Sequence, residues 1–272
     1  MRFFITITAL KKPVILPFNY QYPLSACIYK ILAEADSAYA TFLHDTGYRL
    51  QGLKSFKLFT FSDISIPFKA NADRMMCTGN EASLTVCFHL PQPSETFIKG
   101  LFMNREIEIA DKKSRAVFTI SSVQALPELF PQAKDDELLE VLLRPASPMV
   151  CAVKNEKNYY DFLSPDDPRF IPAFIHHWKE KIKAAYAVEE VTTPLIATIQ
   201  QMEQPPKPRK ITIKEGTPQQ TEIRGFVNFK IKVIAPKQYI QLLLNVGAGV
   251  YTSLGMGCVE VEEGEAIKEK SL

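Results

Sequence analysis

The apolar residues Leu24, Cys27, Ile28, Ile31, Leu32 and Ala35 recur at the i, i+3, i+4, i+7 spacing of one helix face. A helix with a single apolar stripe must pack that stripe on a sheet. The first strand of such a sheet lies just upstream, where residues 3–9 alternate Ile5 and Ile7 with Thr6 and Thr8. Pro23 stands in the first turn of the helix, where its missing N–H costs nothing. A short helical turn over 38–43 ends before Gly47. Residues 56–62 and 83–90 have strand character, 93–104 is helical, and 116–123 closes the series. The order is βαββαβ.

The second half repeats it. Residues 138–143 form a strand, 149–161 a hairpin, 167–188 a helix with Pro168 in its first turn, 207–213 and 221–233 two strands, 236–246 a helix, and 258–261 a last strand. Two ferredoxin-like (RRM-like) units in an α+β chain fit this order best. We expect an N-terminal unit over 1–128 and a C-terminal unit over 137–272. Residues 126–136, with two prolines and a charge cluster, form the linker, and the acid-rich end 260–272 is expected to fray.

The length of 272 residues agrees with two units at a prior of roughly 150 residues per domain. A net charge of only +2 would not by itself nominate a nucleic-acid binder, so any basic surface has to be local. Residues 204–238 supply one: Lys207, Arg209, Lys210, Lys214, Arg224, Lys230, Lys232 and Lys237 face only Glu215 and Glu222. The same pattern also fits lysines decorating a solvated strand. The five cysteines are odd in number, widely spaced and free of C-x-x-C, which argues against a disulfide framework or a structural zinc site. No segment reaches the roughly 18 apolar residues of a membrane span, and a cytoplasmic protein is expected.

Residues 245–258 hold four of the eleven glycines as two Gly-apolar-Gly pairs, Gly247/Gly249 and Gly255/Gly257, five residues apart. Glycine tolerates positive φ and carries no Cβ, so such a loop can turn successive amides toward an anion, most simply a phosphodiester. The alternative is turn chemistry, with Gly247 capping the preceding helix. The spacing matches neither G-x-G-x-x-G nor the P-loop, which disfavours a mononucleotide site.

Four motifs in this order resemble the RAMP-superfamily endoribonucleases that cut CRISPR precursor transcripts within each repeat. They are Leu16-Pro17-Phe18-Asn19-Tyr20-Gln21-Tyr22-Pro23-Leu24 leading into Ile28-Tyr29, Phe42-Leu43-His44-Asp45, Phe56-Lys57-Leu58-Phe59-Thr60-Phe61-Ser62, and the glycine loop. The resemblance spans nearly the whole chain. It implies tandem ferredoxin-like domains, CRISPR repeat RNA as partner and substrate, and metal-independent cleavage leaving a 2′,3′-cyclic phosphate and a 5′-hydroxyl, with no cofactor. Other CRISPR effector subunits or a second copy of the chain are further partners of this reading. Related members of the superfamily hold guide RNA without cutting it, which is the rival reading.

The resemblance places His44 at the catalytic histidine, with an ordinary pKa suited to proton transfer near neutrality. A histidine at a helix end can also simply meet the last carbonyls. Tyr29 lies about 140° around the helix from Leu24, at the edge of the stripe, which suits either substrate contact or an amphipathic boundary. Lys57 opens a strand on the side of Phe59 and Phe61, where it either snorkels outward or meets developing phosphate charge. His176 and His177 are reserve candidates, and His89 is structural. RNA binding falls to Gly247, Gly249, Gly255 and Gly257, with Lys207, Arg209 and Lys210. No metal ligands are expected.

Overall fold

The computed structural model describes residues 1–49, 55–89, 91–103, 106–200, 203–262 and 268–269. β1 (Arg2–Ala9) buries Phe3, Ile5 and Ile7 on one side, as its alternation requires. On that side lies α1 (Gln21–Ala35), burying Leu24, Ile28, Ile31 and Leu32. After α2 (Ser37–Thr41) come β2 (Phe59–Phe61), β3 (Glu81–Phe88), α3 (Pro91–Met103), β4 (Glu106–Ala110) and β5 (Arg115–Ala125). The sheet order is β2-β3-β1-β5-β4, all pairs antiparallel. Without β4, the strands stand in the order fourth, first, third, second, which is the ferredoxin-like arrangement. β4 is a strand the sequence reading missed; it pairs with the first half of β5.

The second unit repeats the plan. β6 (Leu138–Pro145) is followed by the hairpin β7 (Cys151–Lys154) and β8 (Tyr160–Leu163), then by α4 (Phe170–Tyr186) and β9 (Ile196–Gln200). A second hairpin, β10 (Lys207–Ile213) and β11 (Thr221–Val227), precedes β12 (Lys230–Pro236), α5 (Lys237–Val246) and β13 (Val259–Val261). The sheet order β9-β12-β6-β13 is again fourth-first-third-second read from the β13 edge. The chain is thus an α+β fold of two ferredoxin-like units.

Three expectations are corrected here. The segments 207–213 and 221–227 are not sheet strands but a separate two-stranded hairpin, and the true second strand is the unpredicted β9. The continuous strand expected over 221–233 breaks at Asn228, whose φ of 60° turns the chain out of β11 before β12. The end is not uniformly frayed: Glu260 sits in β13, and Lys268–Glu269 pairs with β6, while 263–267 and 270–272 lie outside the described residues. Residues 126–136 carry neither strand nor helix, yet Phe130 inserts into the second core. Among the described residues no helix is long and apolar enough to cross a membrane.

The two units meet along the β2 edge of the first sheet. Leu58, just before β2, belongs to the second core, the Asp63 amide donates to Ala146 O at 2.9 Å, and Thr60 Oγ1 donates to Met256 O at 3.2 Å. His89, after β3, stacks edge-on against Tyr186 of α4 with ring centroids 5.5 Å apart. Burial, with the charged amino terminus nearby, pushes the His89 imidazole down to about 4 from 6.5.

The sign follows from linkage. Above pH 6.5 His89 is neutral folded or unfolded; below it the unfolded chain takes up a proton that the folded one refuses until about pH 4, so stability drains away across that interval. Melting temperature should therefore fall with acidification over this window more steeply in the wild type than in His89→Gln. Parallel melting curves for the two proteins would show that His89 does not set the acid sensitivity of the junction.

Candidate active site

α2 runs on into a wider turn over Phe42–Thr46 whose last hydrogen bond reaches back five residues, from the Gly47 amide to Phe42 O at 2.7 Å. Such π-type turns add a residue to the helix path and re-aim side chains. Here the extra residue aims His44 at α1: its ring meets the Tyr29 ring edge-on, with centroids 5.5 Å apart and an 80° interplanar angle. Gly47 closes the turn at φ +58°, and a Cβ there would come within 2.6 Å of Phe56 O and 3.1 Å of Lys57 Cδ. Its absence lets Lys57 lie across the turn and donate from Nζ to His44 O at 2.6 Å. The structure thus brings His44, Tyr29 and Lys57 together.

The local setting of Lys57 differs from expectation. The strand foreseen over 56–62 is interrupted because Leu58 takes φ 51°, so Lys57 lies between Ser55–Phe56 and β2 and does not share the face of Phe59 and Phe61. Burial lowers its pKa, and Asp45 opposes that shift. Asp45 Oδ1 lies 2.7 Å from His44 Nδ1. A carboxylate oxygen accepts in this contact, so Nδ1 is the donor and, in the neutral imidazole, Nε2 is left as the acceptor nitrogen. Burial raises the Tyr29 hydroxyl to about 12, with a hydrogen bond from Ser253 pulling the other way. Tyr29 therefore keeps its proton near neutrality.

Ser253 belongs to the tip of the glycine loop, and its carbonyl is held by Ser25 Oγ at 2.7 Å. The cleft beyond it, about 230 Å³, is lined by Lys57, His177, Lys181, Tyr251 and Ser253 among others. His177 and Lys181 sit one turn apart on the buried side of α4; Lys181 Nζ donates to Gly247 O at 2.5 Å, and His177 Nε2 lies 3.0 Å from Ala152 O. Sequence reading missed Ser253 and Lys181. The signal for Ser253 was its place between the glycine pairs; a lysine on the apolar side of a helix was the signal for Lys181.

The RNA-binding assignments change more. Gly247, Gly249, Gly255 and Gly257 all have positive φ, but they are buried, and their freedom is used for packing. A Cβ would approach Val150 O to 2.0 Å at Gly249, Ala248 O to 1.9 Å at Gly257, and the Phe61 ring to 2.3 Å at Gly255. The Gly247, Gly255 and Gly257 amides donate to Leu243 O, Thr252 O and Pro148 O. The open anion nest is thus corrected to a packed double turn that displays residues 250–254. Arg209 is half-buried and engaged within the protein: it pairs with Asp63, which also accepts from Tyr20 Oη at 2.9 Å and Gln21 Nε2 at 3.2 Å. Lys210 is exposed, bonded to Glu222 at 2.9 Å, and Lys207 is exposed beside it on the hairpin. His176 stacks on His177.

Residues 15–124 match the family model described as CRISPR-associated protein Cas6, N-terminal, and residues 131–261 the one described as CRISPR associated protein Cas6, C-terminal. A CRISPR-associated endoribonuclease Cas6 of Pyrococcus furiosus is 25% identical over 261 residues, covering 93% of this chain and 86% of its own. The structure of a Cas6-related protein from Pyrococcus furiosus superposes with a TM-score of 0.78 at 19% identity, over 97% of this chain and 99% of that one. A second, described as an RAMP protein binding different RNA substrates, gives 0.76 at 19% identity, over 97% and 100%.

Three substitutions separate the packed groups from the exposed ones. Gly249→Ala should lower stability by about 2 kcal/mol or more, since the new Cβ meets a backbone carbonyl and the φ is strained as well. Arg209→Ala should lower the melting temperature clearly while Lys210→Ala barely moves it, because exposed pairs contribute about 0–1 kcal/mol. Thermal denaturation measures both. A neutral Gly249→Ala, or equal shifts for Arg209→Ala and Lys210→Ala, would contradict the packing described.

Proposed function

We propose, since the chain belongs to the Cas6 family of CRISPR-associated RAMP proteins, that it binds CRISPR repeat RNA and cleaves precursor transcripts within each repeat without a metal ion. The observation that carries this reading is the convergence of His44, Tyr29 and Lys57 beside the tip of the glycine loop. The related Pyrococcus furiosus protein is named an endoribonuclease, which supports the same activity here. The N-terminal unit, 1–128, supplies the three reactive groups. The C-terminal unit, 137–272, supplies the loop and the exposed Lys207 and Lys210 that hold the RNA backbone.

RNA carries its own nucleophile, so the protein has to align the 2′-oxygen, the phosphorus and the 5′-oxygen and manage two protons. His44 Nε2, left open by the Nδ1 contact to Asp45, takes the 2′-hydroxyl proton as that oxygen attacks phosphorus. The P–O5′ bond breaks and the departing 5′-oxygen takes a proton from Tyr29, whose hydroxyl is still protonated at neutral pH. The products are a 2′,3′-cyclic phosphate and a 5′-hydroxyl. Lys57 donates to the equatorial oxygens, where charge develops in the phosphorane. Lys181 and Gly247 act indirectly, holding the loop that carries Ser253 against Tyr29. A guide-RNA-binding subunit without nuclease activity would need none of this convergence.

Cleavage of repeat RNA should proceed in excess EDTA and leave 2′,3′-cyclic phosphate ends; a strict Mg²⁺ requirement or 3′-hydroxyl ends would overturn the chemistry. His44→Ala should slow single-turnover cleavage by roughly 10²-fold or more with affinity nearly unchanged, as expected for loss of general acid–base help. Tyr29→Phe should cost as much or less. The combined variant should be less than multiplicative if the groups act as a unit.

A further inference from the structure

The hairpin of β7 and β8 stands beside the cleft, and neither the proposed chemistry nor the basic segment uses it. Its root is tied to the loop, since Val150, just before β7, bridges to Gly249 and accepts from the Val250 amide at 2.8 Å. Its tip is closed by side-chain hydrogen bonds. Asn155 Oδ1 accepts from the Lys157 and Tyr159 amides at 3.1 and 3.0 Å, its Nδ2 donates to Asp161 Oδ1 at 3.0 Å, and Asn158 takes φ 63° to complete the turn.

This turn displays two large aromatic side chains to solvent. Tyr159 is 71% exposed and Tyr160 48%, the former the most exposed large apolar side chain among the described residues. Neither packs a core. Lys154 is the cross-strand partner of Tyr160, and its Nζ lies 5.9 Å from the Tyr160 ring centroid. Lys157 adds a second cation at the turn, with Glu156 the one acidic residue of that turn; Asp161, on the other face of the hairpin, is engaged by Arg169. Phe162, two residues along the face of Tyr160, packs on the small cluster that also takes in Tyr251 of the loop tip. Burial, then the nearby Tyr160, raises the Tyr251 hydroxyl above its ordinary value, in keeping with their closeness. Aromatic groups are thus spaced from the cleft at Tyr251 by way of Phe162 to Tyr160, with Tyr159 next to it in the chain at the turn.

Rings held in place at solvent, flanked by cations and continuous with a cleft read as RNA-cleaving, match what unpaired nucleotides require: a flat face for a base and a positive charge for its phosphate. A paired helix would use the lysines but not the ring faces. We propose that Tyr159 and Tyr160, with Lys154, form a stacking platform that holds unpaired nucleotides of the bound RNA outside the cleavage cleft. This rests on the reading of the cleft as an RNA site, and it adds a specificity element: preference for RNA that is single-stranded where it leaves the cleft.

The test is equilibrium binding of the full chain to a repeat RNA that is single-stranded and to the same sequence annealed to its complement. Tyr160→Ala and Tyr159→Ala should each weaken single-strand binding about 5-fold or more, the range reported for loss of one base–aromatic stack. Tyr160→Phe should keep wild-type affinity, since the ring remains. Duplex binding and the saturated single-turnover cleavage rate should stay unchanged in all three. Lys154→Ala should flatten the dependence of affinity on salt by a slope of about 0.7. Wild-type affinity of both alanine variants for the single strand, or equal losses on single strand and duplex, would overturn the platform while wild-type cleavage stood. Failure of the wild-type protein to bind or cut repeat RNA would instead overturn the cleft assignment. Unchanged circular dichroism guards against misfolding, and the exposed positions of the two tyrosines make folding failure a minor risk.

Discussion

One loop touches both sheets, and it can do so only because four of its residues are glycine. Gly249 and Gly257 lie against the carbonyl oxygens of Val150 and Ala248 at distances no Cβ tolerates, and Gly255 and Gly247 do the same against Phe61 and Thr60 of the first unit's edge strand. The loop is therefore a wedge between units, fixed by backbone contact on the second side and by side chains on the first. Everything at the cleft is measured from it. Ser253 reaches Tyr29 because residues 250–254 are the part of the wedge that projects, and Lys181 can hide its amine because Gly247 offers a carbonyl there.

Polar contacts lock the same junction. Asp63 lies just beyond β2 and gathers Tyr20, Gln21 and Arg209, the last delivered by the β10–β11 hairpin of the second unit. In a partly buried setting such a network is strong when complete and costly when broken, since each member loses water on assembly. Arg209 is thereby spent on architecture, and the two lysines beside it are left for solvent or a ligand. The three cations assigned to RNA from sequence, Lys207, Arg209 and Lys210, thus divide into one partly buried structural cation and an exposed pair.

The periodic parts of the fold were legible in the chain. The stripe on α1, the alternation of β1 and the run of α5 each report one buried face, which is a local property. What was missed depends on distant partners. β9 is only five residues long and is a strand because β12 offers it a ladder; β10 and β11 have the β-pattern of sheet strands but form their ladder with each other, apart from a single bridge from Phe226 to Met149. The break at Leu58 was invisible because a leucine rarely takes positive φ, and it does so here where its side chain enters the second core. At the site, His44, Tyr29 and Lys57 were legible as residue types in a recognisable order, and their meeting was not: it needs the π-type turn, which no period announces. The glycines were legible as positions that reject a side chain, but what occupies the space, ligand or protein, is a tertiary fact.

The proposed active site is unevenly finished, and this bears on how it would work. Tyr29 is already half-buried, its hydroxyl raised to about 12 and met by Ser253, so its orientation and proton are settled before any ligand arrives. The His44–Asp45 pair is the opposite case, with side chains 72% and 64% exposed. In water such a contact is worth little and is screened by salt. Covering it with RNA would remove that solvent and strengthen every charge interaction around Nε2 at the moment a proton is to move. On the proposed reading, half of the arrangement is built by folding and half by the RNA, so an RNA that does not lie down fully against the loop tip would meet Tyr29 in position but an imidazole still in water. On that same proposal, discrimination among RNAs would be expressed in the rate of cleavage as well as in affinity, through the completeness with which each one shields His44.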